Sequence, residues 1–201
     1  MSPRDGWGDD PEGATPLSEE DREDLKLAWV ADRSDLNEVE AANILAAIVK
    51  WEGRSNRLEA LLDDKTVRDL HRDMFGDVWR WAGRYRKRET TIGIEPEMVA
   101  VEVRKLVEDA KFWFAPDSTM SWEEAAARLH HRLVQIHPFR NGNGRLARQL
   151  TDLVLISCRR APFTWGRKDL VAGSETRSRY IAALRAADAG DIGPLLAFVV
   201  A

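Results

Sequence analysis

Residues 122–157 read WEEAAARLHHRLVQIHPFRNGNGRLARQLTDLVLIS, and their periodicity predicts two amphipathic helices joined by a short glycine-rich turn. Trp122, Ala125, Ala126, Leu129, Leu133 and Ile136 recur at three and four along the first. Leu146, Leu150, Leu153, Val154 and Ser157 do the same along the second. Pro138 disfavours helical geometry at His137, so the first helix ends there and leaves the imidazole projecting from a fixed loop. Phe139 is the expected apolar anchor of that loop. Asn141-Gly142-Asn143-Gly144 then opens the second helix: asparagine is a good cap, glycine lets backbone N–H groups approach a ligand closely, and a helix N-terminus favours negative charge. Arg145 and Arg148, three apart, share a helix face and bring two planar guanidinium forks just beyond this cradle. The chemistry alone reads as a site for a polyphosphate with a histidine beside it.

Outward from this core the same periodicity recurs. Leu36, Val39, Ile44, Leu45 and Ile48 mark one helix, and Val99, Val103, Leu106, Val107, Ala110, Trp113 and Phe114 another. A final pair is expected from about Glu175 to Ala187 and from Ile192 to Val200. Between Gly83 and Pro96 the run GRYRKRETTIGIEP has β-branched residues, glycine punctuation and no helical period, which predicts a short β-hairpin. The fold class is mainly α, in one domain, with residues 1–15 a flexible acidic tail.

Composition excludes several classes. With 201 residues, one cysteine and no CxxC or Cys/His cluster, neither disulfides nor structural zinc are expected to hold the fold. The N-terminus is acidic where a signal peptide would be basic and apolar, and no stretch approaches the length of a membrane span, so a cytoplasmic protein is expected. Net charge is −4, and residues 1–24 hold nine acids against two bases. The body is therefore weakly basic, which suits a small anionic ligand better than a nucleic-acid polymer. Arg84, Arg86, Lys87 and Arg88 read as a solvated face. His130 and His131 point to different helix faces with no acidic partner at ligand spacing, so they are read as ordinary core or surface histidines, as is His71. Cys158 reads as an unreactive thiol.

HPFRNGNGRLAR (137–148) resembles the active-site motif of the Fic family, HPFx(D/E)GNGRxxR. LHRDMFGDVWRWAGRYR (70–86) is similar to that family's stretch leading into a substrate-docking flap, and RYIAALRAADAGDIGPLLAF (179–198) to its C-terminal helices. GATPL, LNEVEAANI and FTWGR resemble the subgroup called mobile mystery protein B, which suggests a helix-turn-helix or antitoxin-like partner. The resemblance implies a Fic domain over 16–201, built as a helical bundle with a short β-hairpin flap. It also implies transfer of AMP from ATP to a Ser, Thr or Tyr hydroxyl of a protein target, with a toxin-like regulatory role. His137 would be the general base. Gly142, Asn143 and Gly144 would hold the inner phosphates, Arg145 and Arg148 the outer ones, and Tyr180 would lie near the adenine. The flap around Arg86, Thr91 and Ile92 would dock the target as an added strand, and magnesium would accompany the nucleotide.

One position departs from the pattern. Asn141 stands where the family carries Asp or Glu to hold magnesium; its carboxamide oxygen is a hard donor without the charge. This motivates a rival reading, a nucleotide-binding regulatory protein with little or no catalysis. A protein kinase using the same site ranks lower, because the branch that phosphorylates targets alters the glycine cradle, which is intact here. Many family members carry an inhibitory glutamate that pairs with the second motif arginine, here Arg148. No strict match to the inhibitory motif exists; Glu40 in LNEVEAANI is the loose candidate, and the alternative places it in solvent on a core helix.

Overall fold

The computed structural model describes residues 19–54, 56–167 and 174–201, and the expected tail lies outside them. The helices are α1 (Glu19–Glu23), α2 (Arg33–Glu52), α3 (Leu58–Leu61), α4 (Asp64–Phe75), α5 (Val99–Trp113), α6 (Trp122–Ile136), α7 (Asn143–Ser157), α8 (Glu175–Asp188) and α9 (Gly193–Val200). Several begin where the sequence supplies a capping side chain. Asp32 accepts from the Asp35 N–H, Ser121 from Glu124 and Ser174 from Arg177, each satisfying one of a helix's orphan donors and contributing about 1 kcal/mol.

The central pair is α6 and α7, which pack directly on one another. The predicted apolar stripes meet there: Leu129, Leu133 and Ile136 of α6 and Leu146, Leu150 and Val154 of α7 are all buried. Around this pair α4 adds Leu70, Met74 and Phe75, and α5 adds Val103, Leu106 and Val107, with α2 lying across α4. The α8/α9 pair forms a second apolar cluster, including Tyr180, Ala183, Leu195 and Phe198, and both helices touch α6.

A segment before α2 runs alongside residues 76–80 through an isolated antiparallel bridge between Leu25 and Trp79. The Lys26 N–H donates to the Val78 carbonyl at 2.8 Å and the Arg80 N–H to the Asp24 carbonyl at 2.9 Å. This carries two residues of the acidic stretch to the turn between α6 and α7, where Asp24 pairs with Arg140 at 2.7 Å and Asp21 with the same arginine at 3.4 Å, Asp21 also pairing with Arg88 at 2.6 Å.

The β-hairpin expected between Gly83 and Pro96 does not form; no β-ladder occurs there among the described residues. Residues 84–95 instead make an irregular loop closed by a side chain. The Arg86 guanidinium donates to the carbonyls of Arg88 and Ile94, so acceptors from both limbs are satisfied by a single side chain and not by facing N–H groups.

Candidate active site

The sequence expectation that α6 stops before Pro138 is met in an unusual backbone state. His137 is the C-cap and sits in the left-handed region, φ 53° and ψ 60°, a conformation that costs a non-glycine residue roughly 1–2 kcal/mol. It turns the chain sharply and leaves the imidazole between the end of α6 and the start of α7. The His137 Nδ1–H donates to the Val134 carbonyl at 3.3 Å. Because a carbonyl only accepts, the proton resides on Nδ1 and the basic lone pair on Nε2. The residue is 6% exposed. Burial pushes its pKa down to about 4; the Val134 acceptor opposes this and the nearby Arg86 charge reinforces it. The imidazole is therefore neutral at pH 7.

Phe139 is fully buried and stacks on His71, ring centroids 3.8 Å apart. The loop then folds on the Asn143 side chain, whose Oδ1 accepts from the Phe139 N–H at 2.9 Å while its Nδ2 donates to the Phe139 carbonyl at 2.8 Å. That carboxamide is thereby committed to shaping the turn; what Asn143 offers a ligand is its backbone N–H at the first position of α7. Gly142 caps α7 at φ 81°, and a Cβ there would meet the Phe75 ring at 2.5 Å. Only glycine fits. Gly144 differs, since a Cβ on it would make ordinary contacts with Arg148 Nη1 at 3.7 Å and Tyr180 Oη at 3.9 Å. The space beside Gly144 is bounded by a cation and a phenol, at the positive end of a fifteen-residue helix.

The two arginines are held differently. Arg145 donates to Glu40 Oε2 at 2.7 Å, and its guanidinium carbon lies 4.8 Å from the Phe75 ring centroid. Glu40 is 3% exposed and its other oxygen accepts from Trp79 Nε1 at 2.7 Å. Glu40 is thus neither in solvent nor paired with Arg148, the two outcomes weighed from sequence: a buried indole N–H and a cation draw it inward, and the cation within reach is Arg145. The Arg148 guanidinium carbon lies 5.8 Å from the Tyr180 ring centroid. Asp152, four residues on, is engaged elsewhere, accepting from Trp165 Nε1 at 2.9 Å and the Phe163 N–H at 3.1 Å. Tyr180 is buried, with its hydroxyl 2.9 Å from His130 Nε2.

The Fic/DOC family pattern matches residues 61–155, the interval containing α4, the irregular loop, α6 and the motif. The chain belongs to the Fic/DOC family. It is 32% identical over 148 residues to protein adenylyltransferase fic-1 of Caenorhabditis elegans, a match covering 70% of this chain and 27% of that protein. It is 26% identical over 193 residues to protein adenylyltransferase Fic of Drosophila virilis, covering 94% of this chain and 38% of that one. The chain thus spans well under half the length of these curated relatives. Among solved structures, Fic-1 (residues 134–508) of C. elegans superposes with a TM-score of 0.64 at 26% identity, over 89% of this chain and 56% of that one. BepC of Bartonella tribocorum, solved with AMPPNP, shares the fold with a TM-score of 0.63 at 20% identity, over 94% and 92%.

Within this Fic domain the expected flap residues separate. Thr91 and Ile92 are exposed, as a docking surface requires. Arg86 is not a docking residue: it is buried, drawn under the loop by backbone carbonyls. The residues do not fit a protein-held magnesium. Asn141 brings no carboxylate, its Oδ1 already accepts from the Gly142 N–H at 2.6 Å, and no group of three or more His, Cys, Asp or Glu that could hold a metal occurs among the described residues. His71, an ordinary core histidine by its sequence setting, ties the site together. The Gly83 N–H donates to its Nδ1 at 3.0 Å, so its Nε2–H donates to the Asn141 carbonyl at 3.0 Å. No local pattern signals this, because its partners lie 12 and 70 residues away. No helix among the described residues is long and apolar enough to cross a membrane.

Proposed function

We propose that this Fic domain transfers AMP from ATP to a Ser, Thr or Tyr hydroxyl of a protein. One observation carries the reading: a neutral histidine with its lone pair on Nε2 stands before a helix N-terminus whose first turn opens beside Gly144, between Arg148 and the Tyr180 hydroxyl. The adenylyltransferase names of the curated relatives point to the same chemistry. The triphosphate lies along the start of α7, its inner phosphates on the backbone N–H groups of Asn143 and Gly144 and its outer ones toward Arg145 and Arg148. His137 Nε2 takes the proton of the target hydroxyl as its oxygen attacks the α-phosphorus; the bond to the bridging oxygen breaks and pyrophosphate leaves. Donors already fixed in place meet the developing charge, so positioning and electrostatics supply most of the rate. The target lies along the exposed Thr91–Ile92 edge of the loop. Incubation with ATP labelled at the α- or the γ-phosphate tests this. Protein-bound α-label supports AMP transfer, γ-label the kinase reading, and neither a binding protein.

A second feature bears on regulation. Arg145 is engaged by Glu40, so Glu40 competes with the phosphates for that arginine and restrains transfer from within the chain.

A further inference from the structure

The carbonyls of the catalytic turn raise an accounting question. A left-handed residue at the end of a helix swings successive backbone oxygens away from the helix, and buried carbonyls must find donors. For the three successive carbonyls of Ile136, His137 and Pro138, Arg86 is the main donor, joined at Ile136 by the Ile94 N–H at 3.5 Å. The Arg86 N–H donates to the Pro138 carbonyl at 2.9 Å. Its Nε donates to the His137 carbonyl at 2.7 Å, and Nη2 reaches the Ile136 carbonyl at 3.4 Å. The remaining donor capacity goes to the loop above, where Nη1 meets the Arg88 carbonyl at 3.0 Å and Nη2 the Ile94 carbonyl. Every one of these acceptors is a backbone oxygen. A planar fork with five N–H groups can serve them; an ammonium, with three donors on a single nitrogen, cannot span the same set.

A second observation lies in the loop backbone beside Arg86 and His137. Gly93 has φ 125°, and a Cβ on it would fall 2.7 Å from Arg86 Nη2 and 2.8 Å from His137 Cβ. The loop therefore passes so closely over His137 that only glycine fits. The Gly93 backbone thus closes over the Arg86 fork and the His137 Cβ together.

We propose that Arg86 is the positioning residue of the general base, fixing His137 in its left-handed, Nδ1–H state and coupling the docking loop to it. This rests on the AMP-transfer reading for its catalytic consequence, but the positioning itself can be read without any turnover. The variants are Arg86→Lys, which keeps charge without the fork, and Arg86→Gln, which keeps two N–H donors on a single amide nitrogen and no charge. Gly93→Ala perturbs the same contact from the loop backbone. Three quantities are measured on the full chain: imidazole 15N shifts of His137 at pH 7, ATP affinity by calorimetry, and the rate of self-modification with saturating α-labelled ATP.

In the wild type the 15N shifts report the single Nδ1–H tautomer set by Val134. In each variant they report a tautomer mixture, the self-modification rate falls at least about tenfold, and ATP affinity stays within about twofold because the cradle is on α7. Unchanged His137 shifts in folded Arg86→Lys overturn the proposal, whether or not the rate falls, since an effect on rate alone runs through the loop and not the base. If wild type transfers no label while the shifts still respond, the AMP-transfer reading fails and the positioning stands. Should neither Arg86 variant fold, Gly93→Ala decides by the same shifts.

Discussion

His137 and Asn141 each carry one prediction of the proposed chemistry. The imidazole acts on the hydroxyl proton while the helix N-terminus and arginines hold the phosphates, so His137→Ala lowers transfer by about 10² to 10⁴ and leaves ATP affinity nearly unchanged. Calorimetry beside a transfer assay separates the two, and undiminished turnover would remove His137 from the base role. Asn141→Asp is close to isosteric, and the retained Oδ1 still accepts from the Gly142 N–H. Its second oxygen brings the charge that lets a hard cation compete with water. A magnesium titration of both proteins is expected to show tighter metal dependence and a higher rate for Asn141→Asp. Equal or lower activity throughout would mean the carboxamide is adapted to this site.

Where helices meet, the decisive contact is between α2 and α7, and Glu40 is its test. Glu40→Gln keeps helix propensity and an acceptor for Trp79 Nε1 while deleting the carboxylate charge that holds Arg145, so self-modification per folded molecule rises. Glu40→Gly also releases Arg145 but costs about 1 kcal/mol in helix propensity and strands a buried indole N–H, a further 1–3 kcal/mol. It therefore lowers the thermal midpoint more than Glu40→Gln does. If neither variant changes the corrected rate, Glu40 is a packing group and the restraint lies in another chain. These contacts also mark how far the sequence could be read. The α6–turn–α7 unit was legible because its signals are local: an apolar period on both sides, Pro138 to stop one helix and glycine to start the next. The Glu40–Arg145 pair spans 105 residues, and nothing within LNEVEAANI distinguishes a glutamate aimed at a distant arginine from one in water. Arg86 was misread for a similar reason. In the run RYRKR its neighbours Lys87 and Arg84 are exposed while Arg86 is buried, and only the left-handed turn 50 residues away, with its outward carbonyls, makes the difference.

Across the whole molecule, three histidines are held neutral by burial, and this sets the response to acid. Burial pushes His71 and His130 down to about 3 and His137 to about 4, against an ordinary value near 6.5. Below that ordinary value the unfolded chain takes up protons that the native chain refuses. Stability is thus fully present above about pH 6.5 and is lost as pH falls toward 4, at roughly 1.4 kcal/mol per pH unit for each such group. Asp152 works in the opposite sense. Burial raises it to about 6, so between that value and the usual carboxylate range the native chain keeps a proton the unfolded chain releases, which offsets one of the three. Two histidines' worth of destabilisation remains, and the thermal midpoint is expected to hold steady above pH 7 and fall on the order of 10 °C between pH 6.5 and 4.5. A scan of midpoint against pH checks the sign, and a second scan on His130→Gln checks the cause. Glutamine cannot titrate and still offers the Tyr180 hydroxyl a partner, so the slope below pH 6.5 should shrink in that variant. A slope that His130→Gln leaves intact would remove His130 alone from this account, whereas a midpoint that is flat between pH 7 and 4.5 would show that these imidazoles are not kept neutral by the fold, and with them would go the argument that His137 meets its substrate as a neutral base.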